Sequence, residues 1–371
     1  MTCSIMELLP TAPAPPGRRP GRGILALASV VGLAGLVLSA CSSTPAATKA
    51  GAKHPGATTT TSTTAAPVAV ATCPLTGTPV PGGAAVPQRP ALAVKIDNYP
   101  AARPQSGMDK ADVVFEEPVE GGITRYAAVF QCQDAPLVGP VRSARNIDIG
   151  ILGQLGTPLL VHVGGIDPVL ANIDASPLVN VDLGNYGSIQ THPAGRVAPY
   201  ATYSTTAQMW AIHPTMTTPP QPLFTYSAKT PKGTAVSSVN IDFSATSNVT
   251  WKYNPSISAF TRFYNSTTPD MLSDGVQNTA ANVIVQYVQI SYGPWVENSE
   301  GGLEVQADLY PNASGVADVF RGGTEITGTW QRSALGSPTR FLDAAGAPIP
   351  LQPGQTWVEL VPNTITATAT P

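Results

Sequence analysis

The hydrophobic positions along the chain fall into short runs separated by turn residues, a pattern that favours many strands over long helices. Three runs rich in β-branched and aromatic residues predict strands at Ala91–Asp97, Ala111–Glu117 and Ile123–Phe130. Helical spacing predicts helices at Asn146–Leu155 and Asp167–Ile173, with a buried strand at Pro158–His162 between them. Strands that alternate with helices indicate a mixed α/β layered domain.

A second pattern follows a Pro- and Thr-rich passage from Pro214 to Gly233. Short apolar runs recur there with turn residues between them, which is typical of an antiparallel sandwich or partial barrel. The predicted strands are Val239–Phe243, Val249–Tyr253, Phe260–Tyr264, Asn282–Ile290, Leu303–Leu309, Gly315–Arg321, Thr324–Gln331 and Gly354–Val361. The predicted fold class is therefore α+β, with a mixed α/β layered N-terminal domain followed by an antiparallel all-β C-terminal domain.

Aromatic residues cluster in the first strands of that second region. They either line a carbohydrate platform or pack across neighbouring strands, and packing is the commoner role for aromatic pairs in a sheet. The residues concerned are Trp251, Tyr253, Phe260, Phe263 and Tyr264.

Charged residues concentrate between Ala91 and Asp148. Only 12% of the chain is charged, against about 25% in an ordinary soluble domain. This local density indicates either a ligand site or a buried ion-pair network that fixes the fold. The residues that we predict to bind a ligand are Lys95, Asp97, Asn98, Arg103, Glu116, Glu117, Glu120, Arg125, Arg142, Arg145, Asp148 and His162. A histidine at a strand end suits binding, although a lone histidine is more often structural.

Two neighbouring glutamates are expected to point to opposite faces of one strand. The two-residue repeat of a strand places Glu116 on one face and Glu117 on the other. The turn Pro118–Gly122 then brings Arg125 back beside them, so one of the two glutamates is expected to pair with Arg125. Isolated buried charges are costly, so a cluster is expected to assemble in space. Its predicted members are Glu116, Glu117, Arg125, Arg142 and Arg145.

The N-terminal region predicts export and a lipid anchor. A basic segment containing Arg18, Arg19 and Arg22 precedes the apolar run Ile24–Leu38, which is shorter than the ~20 residues that span a bilayer. The ending Leu38-Ser-Ala-Cys41 resembles a bacterial lipobox. This resemblance implies cleavage before Cys41 and a diacylglyceryl group on it, which places the protein on the extracytoplasmic face of the membrane. General secretion is the default prediction, and the arginine pair leaves twin-arginine export open.

A tether and a disulfide are predicted after the signal peptide of residues 1–40. Residues 41–87 are mostly Ala, Thr, Pro, Ser and Gly, which bury too little apolar surface to offset the entropy of ordering. Export places the chain in an oxidising compartment, so Cys73 and Cys132 are predicted to form a disulfide. The predicted folded regions are residues 88–232 and 233–363, with a tail at 364–371.

Three ordered motifs carry a resemblance to a known family. The stretches Val94–Gly107, Ala111–Arg125 and Gly139–Arg145 read VKIDNYPAARPQSG, ADVVFEEPVEGGITR and GPVRSAR. These motifs resemble the signature runs of the YerB-like bacterial lipoproteins, a family of unknown function. The resemblance covers residues 89–363 and implies a surface lipoprotein with an N-terminal and a C-terminal domain. The family's Ala-Pro-His-Asn-x-Tyr run stands here as APYATY at Ala198–Tyr203, so its histidine and asparagine are missing.

One functional hypothesis is a non-enzymatic envelope lipoprotein that binds a cell-wall polymer or an envelope protein. Arg125, Arg142 and Arg145 can form forks for carboxylate or phosphate, which are abundant in wall polymers. Membrane contact would be made through lipidated Cys41. A formal net charge of −3 without a long run of Lys or Arg gives no electrostatic footprint for nucleic acid.

The alternative is a hydrolase or transferase that acts on cell-wall polymer. Its acid and base groups would be carboxylates of the charged region, namely Asp97, Glu116, Glu117 and Glu120. The sequence has no recognised nucleophile motif, so a binding module is favoured and neither catalytic residues nor a cofactor are predicted. An open cleft with exposed carboxylates would support the enzyme, whereas closed, salt-bridged carboxylates would oppose it.

Calcium binding is a minor third hypothesis. The carboxylates that would supply oxygen ligands are Asp97, Glu116, Glu120 and Asp148. No EF-hand spacing supports such a site, and no zinc-type pair of cysteines is present.

Overall fold

The computed structural model describes residues 70–371. The predicted signal peptide, the predicted lipidation of Cys41 and the tether up to residue 69 lie outside the described residues. Strands make up 39% of the structure and helices 13%, so the packing of sheets dominates the fold. No helix in residues 70–371 is long and apolar enough to cross a membrane.

The strands form where the short apolar runs were found. In chain order they are β1 (Leu92–Asp97), β2 (Val113–Pro118), β3 (Thr124–Phe130), β4 (Leu159–His162), β5 (Val179–Asp182), β6 (Thr234–Ala235), β7 (Ser238–Ser244), β8 (Ser247–Asn254), β9 (Ala259–Tyr264), β10 (Thr268–Pro269), β11 (Thr279–Ala280), β12 (Asn282–Val288), β13 (Ile290–Val296), β14 (Leu303–Ala307), β15 (Ala313–Arg321), β16 (Thr324–Arg332), β17 (Arg340–Leu342), β18 (Thr356–Pro362) and β19 (Thr368–Thr370). The α-helices are α1 (Ile147–Leu152), α2 (Asp167–Asp174) and α3 (Thr206–Trp210).

Strands from both predicted domains join in one eleven-stranded sheet. Its order is β17-β16-β15-β12-β18-β2-β3-β1-β4-β5, with β6 paired to β16. The join is made by β18, which runs parallel to β12 on one side and to β2 on the other. The expectation of a purely antiparallel C-terminal domain is therefore wrong, because β12 and β18 point the same way. On the far side of β2, strands β3 and β1 are antiparallel, and β1, β4 and β5 are parallel.

One face of this sheet, called the first face, packs against a six-stranded sheet. The order of that sheet is β10-β9-β8-β7-β19, with β11 also paired to β9. Alternate residues of β1 and β2 point to it, so Val94 and Val114 share one core with Val239. Trp251 and Phe260 are fully buried there, so these aromatic side chains pack the core and are not an exposed platform.

The opposite face, called the second face, is covered by α1, α2 and the β13–β14 hairpin. Ala93 and Phe115 of the large sheet share a second core with Leu152 of α1 and Ile173 of α2. The hairpin is a separate two-stranded sheet that contacts α1 through β14. Both faces of the large sheet are thus buried, which explains why its central strands are almost continuously apolar apart from their charged residues.

Most predicted elements of both regions are confirmed to within two residues. The helix predicted from Asn146 is α1, followed by a 3-10 turn at Gly153–Leu155. Among the elements that sequence reasoning missed are β5, which is only four residues long, and β13, in which Gly293 and Pro294 interrupt the strand pattern. The pairing of β13 with β14 shifts register between Tyr292 and Val296, as expected for an interrupted strand.

The folded part begins before the predicted boundary at residue 88. Cys73 is bonded to Cys132, which confirms the predicted disulfide, and Leu75 and Val80 are buried. The cross-link holds this N-terminal segment against the residues that follow β3. The predicted C-terminal tail contains β19, which pairs with β7 of the six-stranded sheet.

We expect a non-reduced peptide map of the protein to contain a cross-linked pair joining Cys73 to Cys132. The bond closes a loop with a sequence separation of 59 residues, so replacing both cysteines by serine should lower the free energy of unfolding by about 2–5 kcal/mol. Chemical denaturation of the double variant measures this loss. Free thiols at both positions in the non-reduced protein would contradict the prediction.

Candidate functional site

The two neighbouring glutamates of β2 point to opposite faces of the large sheet, as predicted. Glu116 shares the first face with Val114, and Glu117 shares the second face with Phe115. Both glutamates are fully buried. Each therefore requires a cationic or hydrogen-bonding partner on its own face, because an unpaired buried carboxylate is very costly.

On the first face, Glu116 is bound by an arginine from the six-stranded sheet. Arg262 of β9 places Nη2 2.6 Å from Glu116 Oε2 and Nη1 2.7 Å from Asp270 Oδ2. All three side chains are buried. Burial alone would lower the pKa of Arg262, but Glu116, Tyr126, Tyr264 and Asp270 together outweigh it and raise that pKa well above its ordinary value. Together with Glu359, these residues are called the first-face network.

A second carboxyl lies beside Glu116 because of the register of the parallel strands. Glu359 of β18 is the direct partner of Glu116 in the β2–β18 pairing, and Trp251 Nε1 donates a hydrogen bond of 2.8 Å to Glu359 Oε1. Burial and the negative charge of Glu116 raise the pKa of Glu359 well above its ordinary value. The environment of Glu359 therefore favours its neutral form, while Glu116 is the carboxylate that Arg262 contacts.

On the second face, Lys95 lies between two carboxylates. It forms salt bridges with Glu117 and with Asp148 of α1, the latter with an Nζ–Oδ1 distance of 2.6 Å. Burial lowers the pKa of Lys95 to about 8, against the attraction of Asp148. The other oxygen of Asp148 accepts a hydrogen bond of 2.7 Å from the backbone N–H of Arg145. This arrangement ties β1, β2 and the start of α1 together.

Two buried arginines converge on Glu120, which lies in the turn after β2. Arg145 donates Nε–H to Glu120 Oε2 at 2.8 Å, and Arg125 Nη2 lies 3.2 Å from Glu120 Oε1. Burial alone raises the pKa of Glu120, but the hydrogen bond from Arg145 and the charge of Arg125 hold it at about 2. Glu297, at the end of the β13–β14 hairpin, lies 3.4 Å from Arg145 on the other side.

Neither glutamate of β2 pairs with Arg125 through its side chain, so that prediction is wrong. Arg125 is the backbone partner of Glu117 in the β2–β3 register, but its guanidinium reaches Glu120 instead. The predicted cluster is divided by the sheet, because Glu116 lies on the first face with Arg262. The residues on the second face, called the second-face network, are Lys95, Glu117, Glu120, Arg125, Arg145, Asp148 and Glu297.

Arg142 and Asp97 lie beside this network at the carboxyl ends of β1 and β4. The β1–β4 pairing reaches Val94, and beyond it the segment carrying Arg142 enters between the two strands. The backbone N–H of Arg142 donates to Lys95 O at 2.9 Å, and its carbonyl accepts from Val163 N at 3.0 Å. Arg142 Nε lies 2.7 Å from Asp97 Oδ2.

The guanidinium of Arg142 is directed towards solvent. Its side chain is 30% exposed, whereas those of Arg125 and Arg145 are almost completely buried. Among the described residues, no hydrogen bond is made by either terminal nitrogen of Arg142. Two tyrosines, Tyr99 and Tyr200, stack at the same edge of the sheet with ring centroids 6.2 Å apart. Asp97, Tyr99, Arg142 and Tyr200 are called the edge site.

Of the three other predicted residues, His162 and Asn98 are buried and Arg103 is partly exposed. His162 has Nδ1 2.9 Å from Gly164 O and Nε2 2.6 Å from Asn180 Oδ1, so both ring nitrogens are engaged. Asn98 donates to Thr124 Oγ1 at 2.7 Å. Arg103 donates to the carbonyl of Asn98 and lies 3.6 Å above the ring of Tyr264. These contacts connect loops and sheets, and they engage both ring nitrogens of His162 and two guanidinium nitrogens of Arg103.

Sequence reasoning missed Arg262 and Glu359, although a signal was available. The burial pattern of β9 places Arg262 on the inward face with Phe260 and Tyr264. In β18, Glu359 lies on the same face as Trp357. A charged residue at an inward position of an otherwise apolar strand predicts a buried partner elsewhere. Sequence alone does not say that the partner is Glu116.

The carboxylates do not form an open acid–base pair. The four carboxylates of the enzyme hypothesis are buried and engaged by cations, which is the closed arrangement expected to oppose that hypothesis. Glu116 lies on the opposite face from Glu120 and Asp148, so the proposed calcium ligands do not converge. In residues 70–371 no group of three His, Cys, Asp or Glu side chains is arranged to hold a metal ion.

The chain is similar to known proteins over both predicted regions. Residues 75–218 match the family model "Protein of unknown function (DUF3048) N-terminal domain", and residues 239–358 match the corresponding C-terminal domain. The chain is 30% identical over 293 residues to "Putative lipoprotein YerB" of Bacillus subtilis (strain 168), which covers 75% of this chain and 83% of that protein. The crystal structure of the YerB protein from Bacillus subtilis has a similar fold, with a TM-score of 0.68 at 23% identity, over 80% of this chain and 99% of that chain.

We expect the two paired glutamates of the first-face network to respond differently to the same substitution. Glu359→Gln should change the free energy of unfolding by less than about 1 kcal/mol, because glutamine resembles a neutral carboxyl. Glu116→Gln should cost about 3 kcal/mol, because it removes a negative charge from buried Arg262. Chemical denaturation at neutral pH compares them. Equal losses would mean that Glu359 is ionised.

The arginines of the second-face network and of the edge site should also differ. Arg145→Ala should lower the free energy of unfolding by about 3–5 kcal/mol, because it leaves Glu120 buried without its main partner. Arg142→Ala should cost about 1 kcal/mol or less, because this side chain is partly exposed and Asp97 keeps a hydrogen bond from Tyr99 N. Thermal and chemical denaturation test the contrast. A loss of similar size for both would place Arg142 in the structural network.

Proposed function

The chain belongs to the DUF3048 family, and we propose that it is a lipid-anchored envelope protein that binds an anionic envelope component through the edge site. The lipid would be carried by Cys41 on the extracytoplasmic side of the membrane. The tether after Cys41 would hold the folded part away from the bilayer. The protein acts in this proposal as a binding module and not as an enzyme.

The proposed anchoring rests on two independent features. One is the run Leu38-Ser-Ala-Cys41 after a basic and an apolar segment, which is typical of bacterial lipoproteins. The other is the name of the Bacillus subtilis relative, which describes that protein as a lipoprotein. The disulfide between Cys73 and Cys132 agrees with an oxidising compartment outside the cytoplasm.

The observation that carries the binding proposal is the orientation of Arg142. Asp97 Oδ2 lies 2.7 Å from Nε of this guanidinium, and neither terminal nitrogen makes a hydrogen bond within residues 70–371, so both are available for a ligand. Such a fork matches the two oxygens of a carboxylate or a phosphate. Asp97 is itself held by Tyr99 N at 2.9 Å, so the arginine is oriented before a ligand arrives. Preorganisation of this kind lowers the entropic cost of binding.

The position of the edge site in the sheet also supports binding. It lies where the parallel strands β1 and β4 end and separate around the inserted segment of Arg142. Ligands of sheets that contain parallel strands bind at the carboxyl ends of the strands, where neighbouring connections diverge. Loops at such an edge can change without disturbing the buried networks below them.

The second-face network supports this function indirectly. Its charges are paired with one another, so Glu120 and Asp148 do not compete with a ligand for Arg142. The same closure argues against the hydrolase alternative, because a general acid or base must reach its substrate within about 3 Å. The buried carboxylates are covered by α1 and by the β13–β14 hairpin.

Retention of the purified full-length protein on insoluble wall material tests this proposal. Arg142→Gln should weaken retention about tenfold, because a charge-assisted hydrogen bond contributes about 1.5–3 kcal/mol. Chemical removal of the anionic polymers from the wall should abolish the difference between wild type and variant. Raised ionic strength should weaken wild-type binding for the same reason.

Two control variants distinguish recognition by the paired N–H donors of Arg142 from attraction by positive charge alone. Arg142→Lys keeps the positive charge but not the paired donors, so an intermediate affinity is expected. Arg340→Gln removes an exposed charge from β17, at the opposite end of the large sheet, and should leave retention unchanged. Wild-type retention by Arg142→Gln would refute the proposal, and so would an equal loss for Arg340→Gln.

A further inference from the structure

The edge site contains an aromatic surface that the anion-binding proposal does not use. Tyr99 follows Asp97 at the end of β1, and Tyr200 arrives from a distant segment of the chain. That segment is fixed because Val141 N donates to Thr202 O at 2.8 Å. The two rings are nearly parallel, with an interplanar angle of 7°. The backbone of these two segments therefore determines that both rings lie at the same edge of the sheet as Arg142.

This pair of tyrosines differs from the other aromatic pairs of the described residues. The others meet edge to face or at a tilt, and they pack the two cores. Tyr99 is 44% exposed, and Tyr200 is half-buried. Neither hydroxyl group makes a hydrogen bond within residues 70–371, so both remain available. Packing of a core does not account for an exposed, stacked pair.

The electrostatic surroundings of Tyr200 place it beside the charged part of the site. Burial raises the pKa of Tyr200, the negative charge of Asp97 raises it further, and the positive charge of Arg142 opposes this. Asp97 contacts both Arg142 and the backbone N–H of Tyr99, so a ligand that contacts Arg142 lies near the aromatic surface as well. One molecule can use both if it combines an anionic group with a face that packs on an aromatic ring.

We infer that the edge site binds a sugar polymer whose rings carry carboxylate or phosphate groups, with a sugar face on Tyr99 and the anionic group on Arg142. This inference rests on the proposed function and specifies its ligand class. Sugars combine an apolar C–H face with hydroxyl groups at the rim, so they suit an aromatic ring surrounded by hydrogen-bonding groups. The two free tyrosine hydroxyls can bond to that rim.

The shape of the surface favours a polymer over an enclosed small molecule. Small molecules are bound mainly in concave pockets of about 300–1,000 Å³. Five cavities of 350 to 680 Å³ in the described part of the chain are lined by residues other than Tyr99, Arg142 and Tyr200. A shallow site gains its affinity from repeated contacts along a chain or from several anchored copies of the protein.

Nucleic acid also combines flat rings with anionic groups, but the site suits it less well. The ring centroids are 6.2 Å apart, which is too close to admit a base between them, since two stacking steps need about 6.8 Å. The formal net charge of the chain is −3, and a strand of phosphates requires a continuous basic groove. Preferential binding of nucleic acid would therefore overturn the inference.

Isothermal titration of the full-length protein with defined polymers tests the inference. The probes are oligogalacturonate, phosphomannan, a neutral galactan oligomer, polyglutamate and single-stranded oligothymidylate. We expect binding to oligogalacturonate, to phosphomannan or to both, and at least tenfold weaker binding to the other three. Comparing the affinities for oligogalacturonate and phosphomannan shows whether carboxylate or phosphate is recognised.

Matched tyrosine variants test the aromatic contact. Tyr99→Ala should weaken binding of the anionic sugar polymer about tenfold, and Tyr99→Phe should stay within about threefold of wild type because it keeps the ring face. Tyr292→Ala is the control, because Tyr292 is 69% exposed on β13, and it should bind as wild type. Thermal denaturation checks that each variant is folded.

The possible failures of the two proposals are distinguishable. Polyglutamate binding as tightly as the sugar polymers, with dependence on Arg142 but not on Tyr99, would keep the anion site and overturn the sugar inference. Preferential binding of oligothymidylate would overturn it as well. Wild-type binding by both Arg142→Gln and Tyr99→Ala would overturn both proposals.

Discussion

Arg262 reaches from the six-stranded sheet to Glu116 of β2, and the rest of the structure depends on this buried contact between the two sheets. Glu116 is fully buried, and an unpaired charge in such a position would cost far more than the net stability of a domain. The register of β18 adds a second carboxyl, Glu359, whose pKa is raised by burial and by the negative charge of Glu116. Arg262 therefore joins the two sheets at the point where these two carboxyl groups meet.

The same constraint divides the charged region into parts with different roles. Several charges that enter the cores of the large sheet are paired, as Lys95 is with Glu117 and Arg145 with Glu120. Pairs of this kind specify the arrangement of elements even where their net contribution to stability is small. Arg142 differs because one side of its guanidinium is held by Asp97 and the other side faces solvent. The proposed binding site lies where the paired network reaches the surface.

Sequence reasoning found the strands, the disulfide and the opposite orientations of Glu116 and Glu117, because these follow from local periodicity and from the number of available cysteines. It did not find that β18 pairs with β2, because a parallel pairing between distant strands leaves no local signal. For that reason Arg262 and Glu359 were missed as partners of Glu116, and Arg125 was assigned the wrong glutamate. In the sequence, Tyr200 is notable only because it replaces the histidine of a family motif. Its contact with Tyr99 depends on tertiary structure.

The pairing of β2 with β18 has a consequence for the order in which the protein assembles. The residues of β18 follow those of β2 by about 240 positions, so they leave the ribosome roughly 12 to 50 s later at ordinary rates of synthesis. Until they arrive, one edge of β2 lacks its neighbour, and the large sheet is unfinished at its centre. Strand β18 completes the centre of the large sheet. A truncated chain that stops before it would keep an unpaired strand edge that can pair with other chains.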